Sequence, residues 1–169
     1  MRLYIGKYDY TQVANDYLTP PILIDKCFDI LNDLSFEKTI FDLDVCCTKK
    51  NIPAIHHYTN DCHNGLIENW FDLNFCNPPF KDCNKWIKKA YIEMLNDKST
   101  VLLIPARTET KYWQEYILNN EQANKKDVHV YFLRKGYSFL NAQTNEPMGI
   151  FKNALAIVVF DGRMHANNK

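Results

Sequence analysis

The stretch Leu73-Asn74-Phe75-Cys76-Asn77-Pro78-Pro79-Phe80 constrains the fold more than any other. Its apolar start reads as a strand, and two consecutive prolines can continue neither a helix nor an inner strand, so the chain must stop and turn there. Pro79 lacks an N–H and holds the residue before it in extended geometry, which keeps the Pro78 carbonyl out of any helix. The Asn77 side-chain oxygen and the Pro78 carbonyl then form an acceptor pair suited to both protons of a planar NH₂ group. Phe80 offers a ring face for that group's parent ring. Met in isolation, such a tetrapeptide is more often a tight turn with a hydrophobic anchor. The rest of the chain has to decide.

The flanking elements suggest alternating helices and strands. Thr19-Pro20-Pro21 reads as a helix start with Thr19 as N-cap. Leu23, Ile24, Cys27, Phe28, Leu31 and Leu34 then recur at helical spacing to about residue 34. Residues 39–45 form a short β-prone run carrying Asp42 and Asp44 towards its end. Acids at the carboxyl end of an inner strand are placed to hold a cofactor's amine or hydroxyl, although solvation alone also puts acids there. No G-x-G-x-x-G follows. Residues 54–58 read as a strand and residues 66–70 as one helical turn; the interval before residue 73 is too short for a full strand-helix-strand unit. A helix capped by Asp82 or Asn84 is expected to about residue 96, a buried strand over 100–105, a helix opened by Thr108 or Thr110, and strands over 128–133 and 154–160. The segment 135–153 reads as a long loop and 161–169 as a polar tail. Residues 1–14 form an extension with no assigned element.

At 169 residues, 46% hydrophobic and 24% charged, the chain fits a single globular domain spanning 1–169. No apolar run approaches the roughly 20 residues that cross a bilayer, so a cytoplasmic protein without a membrane partner is expected. Six cysteines are read as free thiols. Cys46, Cys47, His56, His57, Cys62 and His63 lie close in sequence, yet they lack a C-x-x-C pair, and no metal site is expected. Twenty basic residues balance twenty acidic ones, so any nucleic-acid binding must use a local patch, for which Lys81, Lys85, Lys88, Lys89, Arg134 and Lys135 are candidates, although a solvated helix face explains the lysines equally well.

Taken in order, these features resemble the S-adenosylmethionine-dependent methyltransferases that modify exocyclic amines through [Asn/Asp/Ser]-Pro-Pro-aromatic. They look most like the small phage-type DNA adenine methyltransferases (Dam-like). The residues that carry the resemblance are Tyr17-Leu18-Thr19-Pro20, Phe41-Asp42-Leu43-Asp44-Val45, Gly65-Leu66 with Trp70, Phe75-Cys76-Asn77-Pro78-Pro79-Phe80, Trp86 with Lys89-Ala90, and the run from Leu103 to Thr110 with Trp113. The resemblance implies an α/β, Rossmann-like methyltransferase fold: a mostly parallel central sheet, an antiparallel C-terminal strand, and a shortened or missing strand before Asn77. It places Asn77, Pro78, Pro79 and Phe80 at the catalytic centre. Tyr17, Thr19, Pro20, Asp42, Asp44, Cys46, Asp61 and Asn77 fall at the S-adenosylmethionine site, with Asp42 and Asp44 at its methionine end and Asp61 nearest the ribose or adenine. The broader superfamily's glycine-rich loop is replaced by Cys46-Cys47-Thr48. Leu133-Arg134-Lys135-Gly136-Tyr137-Ser138-Phe139 matches the family's late Gly-Arg-x-x-Phe only loosely.

The activity implied is methyl transfer to N6 of adenine in DNA, with Lys81, Lys85, Arg107 and Arg134 as DNA contacts. A phage-encoded chain of this kind would act in the cytoplasm of a bacterial host. Cytosine C5 methylation needs a cysteine nucleophile that the tetrapeptide lacks. Methylation of an RNA base or a protein glutamine, and an inactive nucleic-acid-binding relative, are the alternatives. Oligomeric state stays open, a homodimer included.

Overall fold

A computed structural model describes residues 17–59, 63–118 and 127–163 of the protein. A two-residue strand, β1 (Tyr17–Leu18), leads into helix α1 (Pro21–Asp33). Prolines suit a first helical turn because its N–H groups have no intrahelical acceptor. The Pro20 carbonyl accepts from the Leu23 and Ile24 N–H groups. Pro20, not Thr19, holds the cap position, and no side chain caps the helix. Leu23, Ile24, Cys27 and Leu31 form its buried face, a fully buried Leu or Ile contributing about 1.5–3 kcal/mol.

The remaining elements are β2 (Phe41–Cys47), β3 (Ala54–Thr59), β4 (Leu73–Cys76), a 3₁₀ turn at Phe80–Asp82, α2 (Cys83–Leu95), β5 (Ser99–Pro105), the single turn α3 (Lys111–Trp113), β6 (Val128–Phe132), β7 (Ser138–Asn141), β8 (Pro147–Ile150) and β9 (Leu155–Phe160). A π-helical stretch, Gln114–Leu118, prolongs α3. Among the described residues, six strands make the central sheet in the order β3-β2-β4-β5-β9-β6. Its β3-β2-β4-β5 run is parallel, and β9 is antiparallel to both β5 and β6. The architecture is therefore α/β with a mixed, mostly parallel sheet.

Strict alternation along the inner strands builds two apolar layers. Val101, Leu103, Leu155, Ile157 and Val159 face the side of α1. Leu102, Ile104, Ala156, Val158 and Phe160 face α2 and α3. The buried polar residue Asn74 is fully satisfied, donating to the Phe71 and Ser99 carbonyls and accepting from the Phe71 N–H.

Two connections depart from the usual parallel crossover. Residues 48–53 return from β2 to β3 without a helix, where a dozen or more residues are normally used. Ile52 is buried from this strap into the α1 layer. Between β3 and β4, no further strand occurs among the described residues. The expected helical turn at 66–70 is a simple turn, in which the Asn64 carbonyl accepts from Ile67 and Glu68.

The expected loop 135–153 is instead a hairpin, β7–β8, that pairs with β1 in a second, three-stranded sheet. Local polar chemistry closes it: the Asn141 side chain accepts from the Gln143 and Thr144 N–H groups, and Asn145 adopts φ 60°. The first residues assigned to the tail are tied down. Arg163 pairs with Asp161, donates to the Leu34 and Ser35 carbonyls and lies 3.4 Å over the Phe36 ring. No helix among the described residues is long and apolar enough to cross a membrane.

Candidate active site

The strand order reverses at β2, which has β3 on one side and β4 on the other. Open α/β sheets bind ligands outside the carboxyl ends of strands at such a point. A cleft of about 350 Å³ lies there. Tyr17, Thr19, Asp44, Cys46, Asn77, Pro79, Lys81 and Lys85 are among its walls, so the fold brings together residues 68 positions apart.

Asn77 leaves the end of β4 with its side chain held on one side only. Its Nδ2 donates to the Thr19 hydroxyl at 2.9 Å, while Oδ1 is buried and accepts no hydrogen bond among the described residues. A buried carbonyl oxygen without a donor is costly, which marks this atom as built for something other than the fold. The neighbouring carbonyls are engaged. Tyr17 donates its phenolic proton to the Pro78 carbonyl at 2.8 Å, and the Cys46 thiol donates to the Asn77 carbonyl at 3.4 Å. Pro78 itself is buried. Phe80 does not line the cleft. It sits beside it in a cluster with Tyr17, Phe139 and Phe151, at ring separations of 5.4, 5.8 and 5.2 Å. Phe139, from the loosely matching late segment, thus backs the tetrapeptide.

The two acids separate. Because β2 runs on to Cys47, Asp42 lies near its start, where its Oδ2 accepts from the Leu73 N–H and its Oδ1 pairs with Lys38. It ties β2 to β4 and is absent from the cleft, a correction to the sequence expectation. Asp44 does line the cleft and is 3% exposed. Burial pushes its carboxyl up from 3.8 to about 7, partly opposed by a hydrogen bond from the Cys46 backbone. Cys46 stands half-buried 3.8 Å from the Sγ of Cys76. Burial also raises the thiols of Cys76 and Cys83.

Three contributors carried no assigned role in the sequence. Gly65 packs so tightly on the end of β2 that a Cβ there would lie 2.1 Å from the Val45 carbonyl and 3.0 Å from the Trp86 ring. Only the absence of a side chain allows that wall of the cleft. Asn51, from the helix-free strap, donates to the Thr19 carbonyl at 2.9 Å. Lys49, two residues before it, donates to the Ala142 carbonyl and to Asn145 Oδ1. The strap therefore fastens both β1 and the hairpin across the cleft. Its only signal was its position, a polar run directly after β2.

Of the remaining candidates, Pro20 is buried at the start of α1 and is not a wall of the cleft. Asp61 lies outside the described residues. Lys81 and Lys85 stand exposed at the cleft, Lys85 paired with Asp82. Arg107 and Arg134 are exposed just beyond the ends of β5 and β6, so all four cations share the carboxyl edge of the sheet, although only the lysines reach the cleft. His56 stacks on Phe71, His63 stacks on Tyr58, and His57 Nε2 meets the Ile52 carbonyl. No group of three or more possible metal ligands is gathered among the described residues.

Neither a curated protein nor a solved structure matches the chain significantly. The family model for DNA N-6-adenine-methyltransferase (Dam) matches residues 15–168, which include every wall of this cleft. With Asn77 at the head of an Asn-Pro-Pro-Phe turn beside a buried acid, and that match running over nearly the whole length, the chain belongs to the Dam family of DNA adenine methyltransferases.

Proposed function

We propose that the protein transfers a methyl group from S-adenosylmethionine to the N6 amino group of adenine in DNA, on a Rossmann-like methyltransferase fold. The observation that carries this is the buried Oδ1 of the cleft-lining Asn77, which accepts no hydrogen bond among the described residues. The cofactor fits the residues present. Asp44 would face its amine, Thr19 and Cys46 would line its seat, and Gly65 keeps that seat clear of side chain. When bound, S-adenosylmethionine would supply an electrophilic methyl carbon on a sulfonium leaving group, and the proton displaced from N6 would pass to solvent.

The protein's part is to make that lone pair available. In free adenine it is delocalised into the ring. Asn77 Oδ1 accepting one N6 proton favours the pyramidal nitrogen of the transition state, an effect of about 3 kcal/mol for a well-placed partner. The Pro78 carbonyl has a second lone pair beyond the one Tyr17 uses, and it takes the other proton. No nucleophilic side chain is needed; holding amine and methyl together supplies the rest. An adenine stacked in duplex cannot reach this atom, so the base is flipped or already single-stranded. Phe80, braced by its aromatic neighbours, offsets part of that cost by stacking, worth about 1–3 kcal/mol. Lys81 and Lys85 at the cleft, with Arg107 and Arg134 along the same edge, hold phosphates.

The test is incubation with methyl-labelled S-adenosylmethionine and, separately, double-stranded DNA, single-stranded DNA, RNA and protein, followed by nucleoside analysis. Label recovered as N6-methyladenine from DNA is expected. Label confined to RNA or protein, or absent altogether, overturns the proposal.

A further inference from the structure

We propose that Thr19 is a positioning residue that holds the plane of the Asn77 amide against the amine. The inference rests on the assignment of Asn77 as an acceptor for the target amino group.

An asparagine amide is nearly symmetric in shape but opposite in chemistry at its two ends. Turned over, Asn77 would aim N–H groups at an N–H₂, losing the acceptor and opposing two donors. Something must therefore hold the amide still. Thr19 Oγ1 accepts from Nδ2 at 2.9 Å, and Oδ1 has no protein donor to hold it among the described residues. That pairing assigns the nitrogen to the protein and leaves the oxygen for a ligand.

Thr19 is suited to this because it cannot shift. It is 3% exposed, its carbonyl is taken by Asn51 at 2.9 Å, Pro20 and Pro21 stiffen the chain after it, and β1 before it pairs with β7. The residue does not cap α1. Its hydroxyl is thereby freed to reach a partner 58 positions away. Tyr17, two residues earlier, holds the other acceptor, so one short strand sets both halves of the amine seat. Thr19 acts through Asn77 and need not touch the substrate.

Thr19→Val keeps the shape and removes the hydroxyl. At saturating S-adenosylmethionine it is expected to lower kcat about tenfold, whereas Thr19→Ser stays within about threefold of wild type. A Thr19→Val enzyme at full kcat overturns the proposal. Hydrogen exchange of the Asn77 side-chain NH₂, followed by NMR without DNA, judges Thr19 even if wild type methylates nothing. Exchange about tenfold or more faster in Thr19→Val supports the orienting bond, and unchanged exchange overturns it. Failure of the wild type to methylate DNA counts against the function itself and is read in a separate assay.

Discussion

Tyr17 and Pro78, 61 positions apart in the chain, are joined by a hydrogen bond of 2.8 Å from the phenol to the carbonyl. The same tyrosine ring lies 5.4 Å from Phe80 and 5.0 Å from Phe139. It therefore holds the double-proline turn by its polar tip and braces the aromatic cluster with its body. Tyr17→Phe keeps the ring and should lower stability by about 1 kcal/mol, the usual net worth of such a bond. Tyr17→Ala also empties part of the cluster and should cost distinctly more, about 2 kcal/mol or above. Urea unfolding of the two variants measures the difference; equal losses would mean that the ring contributes nothing.

Asn77→Ala should reduce methyl transfer about 10²–10³-fold, because the lost acceptor acts on charge that develops in the transition state. Cofactor affinity should change by no more than about threefold. Calorimetry with S-adenosylmethionine and a single-turnover assay check the two halves separately. A variant with near-normal rate would remove Asn77 from its role.

The raised carboxyl of Asp44 makes both stability and ligand affinity depend on pH. Folded, the group titrates near 7; its ordinary value is 3.8. Between those values the unfolded chain has lost a proton that the folded chain keeps, so this group's contribution to stability falls as pH rises from about 4 to 7 and is level above, a change of at most about 4 kcal/mol. Asp44→Asn removes that decline, so its stability relative to wild type should improve from pH 5 to pH 8, as urea midpoints would record. A cationic amine binds the ionised form, so wild-type cofactor affinity should rise with pH to about 7 and then level. Affinity independent of pH over this window would place the amine elsewhere.

Gly65→Ala pushes a methyl group into the Val45 carbonyl and the Trp86 ring. The backbone must move, and overpacking of this kind costs about 1–3 kcal/mol. The cleft should distort with it, so a lower Tm accompanied by weaker cofactor binding is expected. A variant with unchanged Tm would show that this wall yields freely.

Much of the fold followed from local chemistry. Proline pairs at Pro20-Pro21 and Pro78-Pro79 located a helix start and a strand end, because a missing N–H acts wherever it falls. The continuous apolar run from Val101 to Ile104 identified an inner strand, since only a sheet covered on both faces buries every side chain. Asn77 and Asp44, which the order of motifs singled out, both line the cleft. The hairpin Ser138–Asn141 with Pro147–Ile150 was not legible in the sequence, because its strands are short and half-exposed and are held by pairing with β1 rather than by their own hydrophobic pattern. Asp42 and Asp44 are chemically identical and two residues apart; only the length of β2 and the position of Leu73 and Lys38 turned one into a strand tie and left the other in the cleft. Thr19 reads as a helix cap from its neighbours, yet its hydroxyl meets Asn77 instead. The sequence by itself determined which groups accept hydrogen bonds and where the chain must turn, both being properties of single residues. Which of those groups face one another, and which acceptor is left unfilled, was decided by the tertiary structure, because only packing brings residues 58 positions apart to within 2.9 Å.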